Sequence, residues 1–130
     1  MSKKEQQEAK LISSFISEAE TLYSEFGDFI HSRYNGDNSS EANYYTWASM
    51  KFNTSWDWLM PVVEKIESLN FDNYTVGWES SKNFFCFYKS FDTGEREDTI
   101  NVERSSNIES AYHAVVKFIQ WYNTQPTKQP

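Results

Sequence analysis

Cys86, His31 and His113 are the residues that could form a nucleophile and its base, and their settings argue against it. Such a pair needs a thiol or hydroxyl within hydrogen-bond reach of an imidazole. Cys86 sits in Phe84-Phe-Cys-Phe-Tyr88, where apolar surroundings raise a thiol's pKa and leave it inert. The two histidines are far apart in sequence, and each falls on the polar face of a predicted helix, as ordinary exposed histidines do. No pair of side chains has metal-ligand spacing. Four glycines, scattered singly, make no phosphate-cradling loop. Asp57 and Glu64 lie two turns apart on one helical stripe, and a solvated helix face accounts for them. The expectation is a protein that is not an enzyme, with no catalytic residue, metal or cofactor.

The tryptophans offer more. Trp56 belongs to an apolar helix face, whereas Trp58 and Trp121 fall at the edges of such faces. Edge tryptophans commonly complete a core, and that reading is preferred. They also stack on planar ligands or anchor interfaces. A binding face of Tyr45, Trp47, Trp58 and Trp121 is the functional alternative.

The elements that must position these residues follow from periodicity. The densest apolar run is 55–69, where Trp56, Leu59, Val62, Val63, Ile66 and Leu69 share one face of a 3.6-residue helix. Thr54 is the expected N-cap, with Asp57 at the third position of a capping box. Pro61 lies too deep for the first turn, so a kink or a separate short turn at 55–60 is expected. Before this, Leu11, Ile12, Phe15, Ile16, Ala19, Leu22, Tyr23, Phe26, Phe29 and Ile30 line one face of a helix running from Ser2 or Lys3 to about Arg33. A helix that long, ~45 Å, exceeds the ~14 Å radius of gyration of a compact body this size. It either bends at Gly27 or projects part of its stripe. Ile12, Phe15, Leu22 and Phe26 then form a possible assembly face for a homodimer, although folding onto the chain's own sheet is preferred.

Residues 36–41 read as a loop and 43–53 as an irregular segment with one short strand. Strands follow at 73–79, 84–88 and 98–103, joined by short turns as an antiparallel meander. The middle strand is apolar on both faces, which predicts cover on both sides. Ser106-Asn-Ile-Glu109 is a capping box opening a C-terminal helix. Ile108, Ala111, Tyr112, Val115, Phe118, Ile119 and Tyr122 form its buried face. The fold class is therefore α+β: a three-stranded antiparallel meander with helices on both faces, an α-β-α sandwich, behind a long N-terminal helix. One domain spans 1–123, and 124–130 is expected to be a disordered tail.

Composition bounds function. An aromatic share of 18% supplies ample core and excludes a disordered chain. The formal charge of −7, with no basic patch, disfavours direct binding to nucleic acid. A single cysteine allows no internal disulfide, and the N-terminus lacks the apolar core of a signal peptide. No run approaches the roughly 18 apolar residues of a membrane span. A cytoplasmic location away from membranes is expected.

Ser55-Trp-Asp-Trp-Leu-Met-Pro-Val-Val-Glu-Lys-Ile-Glu67, within 52–69, resembles the signature of the phage ABA sandwich domain family, small proteins of Bacteroidetes and their phages. Asn107-Ile-Glu-Ser-Ala-Tyr-His-Ala-Val-Val-Lys-Phe-Ile-Gln-Trp-Tyr-Asn123 is a second matching block, and Leu11-Ile-Ser-Ser-Phe-Ile16 a weaker one. The region from Ser17 to about Tyr45 departs from the pattern. The resemblance implies a helix–sheet–helix sandwich and transfers no catalytic residue. Two functions remain open: a non-catalytic protein-interaction module with an unknown protein partner, for which the resemblance suggests a role in phage–host conflict, and a small-molecule or nucleotide-binding, sequestering protein.

Overall fold

A computed structural model describes residues 3–16, 29–32, 43–46 and 51–125, with backbone alone for the second and third of these segments. The elements are α1 (Lys3–Ile16), β1 (Phe29–Ser32), β2 (Asn43–Thr46), α2 (Trp56–Ser68), β3 (Tyr74–Ser81), β4 (Phe84–Phe91), β5 (Arg96–Glu103) and α3 (Asn107–Asn123). Strands β3, β4 and β5 form one antiparallel sheet with β4 in the middle, preceded and followed by helices. The chain is thus an α+β protein with the expected meander.

Along β4 the side chains alternate. Phe85 and Phe87 are fully buried against the helices. Phe87 meets Phe118 of α3 at 5.6 Å between ring centres, and Phe85 stacks on Trp78 of β3 at 5.3 Å. Burying each such side chain contributes about 1.5–3 kcal/mol. Helix α3 rests on β4 and β5, α2 rests on β3, and α1 crosses the far side of α2 and α3. Helix α3 is therefore a middle layer, which explains why Ala114 and Val116 are buried along with Ala111, Val115 and Ile119. Phe15 of α1 packs edge-on against Phe118 and Tyr122, and Tyr112 Oη donates to Glu8 Oε1 at 2.6 Å. Lys65 of α2 donates to the Phe15 carbonyl; a cation suits a carbonyl in the last described turn of a helix.

The opposite face of the sheet carries Glu79, Ser81, Ser90, Arg96, Asp98, Asn101 and Glu103, all exposed. Cys86 points there and is nevertheless buried. Its thiol donates to the Phe87 carbonyl at 3.4 Å, and the charged side chains of Asp98, Arg96 and Glu79 on this face act on it electrostatically. Among the described residues, the apolar character of both β4 faces is met by a helix layer on one side and by this side-chain cluster on the other.

Several expectations are revised at the N-terminal half. Phe29–Ser32 is a strand paired antiparallel with Asn43–Thr46, so the helix does not extend to Arg33, and His31 lies in β1 rather than on a helix. Over four residues, Phe-Ile-His-Ser fits a strand as well as a helix face, and pairing with Tyr44-Tyr-Thr46 decides it. The expected bend at Gly27 and the loop at 36–41 lie outside the described residues. In α2 the N-cap is Ser55, not Thr54, and its side chain makes no capping hydrogen bond. Thr54 instead closes a turn, its N–H donating to the Lys51 carbonyl at 3.1 Å. Pro61 lies within α2, where it offers Asp57 no N–H. Trp56 is only partly buried, at the edge of the core. In α3 the cap is as expected: Ser106 Oγ accepts from the Glu109 N–H at 3.2 Å. Thr124 and Gln125 belong to the C-terminal cap of α3, and the rest of the expected tail, 126–130, lies outside the described residues.

Candidate functional site

Lys89 occupies the position in β4 where the alternation of Phe85, Phe87 and Phe91 calls for another apolar, helix-facing residue. It lines a cavity of about 270 Å³ between the sheet and α3. Val76 of β3, Ile100 of β5 and Phe118 of α3 form the apolar wall, and Tyr74 and Trp121 supply flat surfaces. Lys117 of α3 is the second cation on the lining.

A bulge shapes this cavity. Phe87 pairs with Ile100, whereas Tyr88 pairs with Asp98, so Thr99 is the extra, unpaired residue of β5. Bulges re-aim side chains locally, and here Thr99 and Ile100 both line the cavity. The Thr99 hydroxyl donates to the Phe87 carbonyl at 3.1 Å, which anchors the bulge. The aromatic surfaces are held in turn: Phe71 stacks on Tyr74 at 4.7 Å, and Trp121 contacts Phe118 at 5.6 Å and Phe71 at 6.1 Å.

Lys89 Nζ lies 4.8 Å from the Tyr74 ring centre and 5.9 Å from that of Trp121, a cation–π arrangement. Neither Lys89 nor Lys117 is in an ion pair among the described residues; the ion pairs found there are those of Arg96 with Glu79 and Asp98. Burial, reinforced by the charge of Glu97, raises the Tyr74 phenol above its ordinary pKa, so the ring enters the site as a neutral hydrogen-bonding group.

Two other constellations stand apart from the cavity. On the open sheet face the Arg96 guanidinium lies 3.9 Å from the Tyr88 ring centre and donates to Asp98 at 2.8 Å. Its hydrogen bond lowers the Glu79 carboxyl, and burial pushes the Cys86 thiol up. A second, wide cleft of about 600 Å³ lies between the N-terminal ends of α1 and α3, lined by Glu5, Glu8, Glu109, Tyr112 and His113. Burial and the bond to Glu8 raise the Tyr112 phenol strongly, while burial and the charge of Arg104 lower His113. Among the described residues no group of three or more His, Cys, Asp or Glu is placed to hold a metal ion, and no helix is long and apolar enough to cross a membrane.

Of the four residues expected to form a binding face, the structure brings Trp121 to the cavity. Trp58 packs edge-on against Phe52 at 5.2 Å and does not line it. Tyr45 lies in β2, where only backbone is described, and Trp47 lies outside the described residues. Of the expected assembly face, Ile12 is fully buried and Phe15 packs on α3, so both serve this chain's own core; Leu22 and Phe26 lie outside the described residues. Asp57 and Glu64 are exposed. Sequence reasoning missed Tyr74, Lys89, Thr99 and Lys117 as a group. The legible signal was Lys89, a charge in register with core-facing phenylalanines.

Comparison of the chain with family models, curated proteins and solved structures gives no match.

Proposed function

We propose that this protein binds a small organic molecule, without transforming it, in the cavity between the sheet and α3. The observation that carries this reading is the pairing of an apolar wall, Val76, Ile100 and Phe118, with the aromatic surfaces of Tyr74 and Trp121. Ligand sites are concave, mostly apolar and furnished with a few polar groups. A ligand that binds the folded state stabilises it by mass action. Thermal-shift and tryptophan-fluorescence titration against a chemically mixed library should yield saturable binders of the parent protein. Thr99→Phe, which fills the cavity from the bulge, should lose them. A library that stabilises neither protein, or both equally, overturns the reading.

A second reading, a protein-interaction module, draws on the open sheet face, where Glu79 and Asp98 flank Arg96 and Glu103 is exposed at the other end of β5. The chain's charge of −7 favours fast association with a basic partner. Phage–host conflict in a bacterial cytoplasm is the setting suggested by the resemblance of 52–69 and 107–123. Affinity purification from the native host should give a stoichiometric partner that is lost on E79K/E103K; a partner retained by that variant places the contact elsewhere.

A further inference from the structure

We infer that the cavity beside α3 selects a small aromatic anion, a planar body carrying one carboxylate or phosphate, with Lys89 and Lys117 as its head-group contacts. The inference rests on the small-molecule reading above and adds the sign of the ligand's charge. Acidic residues outnumber basic ones in this chain, 19 to 12. Even so, the two charged side chains lining the cavity are both lysines. They come from different elements, β4 and α3, and among the described residues no carboxylate reaches either within ion-pairing distance. The nearest acid by register is Glu97, the cross-strand partner of Lys89.

Aromatic walls alone would equally suit a quaternary ammonium. Two lysines exclude that class, because they repel a cation and Lys89 already lies over the rings of Tyr74 and Trp121. A volume of about 270 Å³ limits the body to the size of one fused ring system. The body lies against Val76, Ile100 and Trp121, while the anionic end faces the two ammonium groups.

The test uses the whole chain with three probes of one shape: 2-naphthoate, 2-naphthyl phosphate and the uncharged 2-naphthalenemethanol. Calorimetry at low salt should show at least one anion binding tenfold or more tightly than the alcohol. That advantage should shrink as salt rises and fall at least fivefold in K89Q or K117Q, with affinity for the alcohol unchanged. A lead for either anion supports the inference, and which one leads identifies the head group. Equal binding of all three probes overturns it while leaving the cavity reading intact. An anion preference that survives K89Q/K117Q overturns the lysine assignment. Absence of binding by every probe overturns the inference; the cavity reading falls with it only if the mixed library also fails. Lys117 is exposed, so K117Q leaves the core untouched and keeps the test decisive should K89Q unfold.

Discussion

The ring of Tyr88 lies on the backbone of Gly77, its cross-strand partner, so closely that a Cβ at position 77 would come within 2.5 Å of Tyr88 Cζ. The far side of the ring is not free to give way, because the Arg96 guanidinium rests on it, held by Glu79 and Asp98. Gly77→Ala should therefore destabilise the fold by about 1–3 kcal/mol, the usual cost of overpacking. Urea unfolding measures it. In the Tyr88→Ala background the same substitution should cost little, and a full cost there would place the strain elsewhere.

Ser110 is buried at the start of α3, and its hydroxyl joins three segments. It donates to the Asn83 carbonyl in the β3–β4 turn at 2.7 Å, lies 2.9 Å from the Ser106 carbonyl, and accepts from the Arg104 N–H at 2.9 Å. Ser110→Ala removes these bonds while the Arg104 N–H keeps the Asn83 carbonyl and the Ser106 carbonyl keeps the Ser110 N–H, so the cost should be that of an ordinary hydrogen bond, about 0.5–1.5 kcal/mol. Ser110→Thr keeps the hydroxyl and should fall between the two in urea midpoint unless the added methyl overpacks. An alanine variant as stable as the parent would show that the hub contributes nothing net.

His113 gives the protein a signed pH dependence. Burial, then the charge of Arg104, holds its pKa below the ordinary value; Lys4 acts in the same direction, and Glu8 and Glu109 oppose them. The folded state thus binds this proton less readily than the unfolded chain does. The contribution is fully present above the unfolded value of about 6.5 and is lost as pH falls from there through the lowered folded value. The urea midpoint should drop as pH falls from about 7 through the lowered folded value, and His113→Gln should flatten that drop. An unchanged slope in the variant would assign the effect to another group, His31 being the other histidine.

The parts of the fold legible in the sequence were those whose pattern is long and local. Seventeen residues of α3 carry a capping serine and an unbroken apolar stripe, and the meander is punctuated by Lys82-Asn83 and by Gly94, which takes a φ of +94°. The β1–β2 pair was hidden because four residues cannot separate a period of 2 from one of 3.6. The cavity was hidden for a different reason. The bulge at Thr99 inserts one residue into β5, so a strictly alternating reading put Thr99 opposite Ile100, whereas both line one space. Wheel positions made Trp58 and Trp121 look alike; tertiary packing set one against Phe52 and the other beside Lys89.

Helix α3 is the middle layer of the molecule, yet it follows every other described element in the chain. During synthesis at about 5–20 residues per second, the meander therefore leaves the ribosome before the helix that covers it. For that interval Phe85, Phe87 and Val102 have no α3 to pack against, and Phe15 of α1 lacks its Phe118 and Tyr122 neighbours. Completion of the core therefore waits on α3, whose contacts with β4 and β5 on one side and α1 on the other join the sheet to the N-terminal helix.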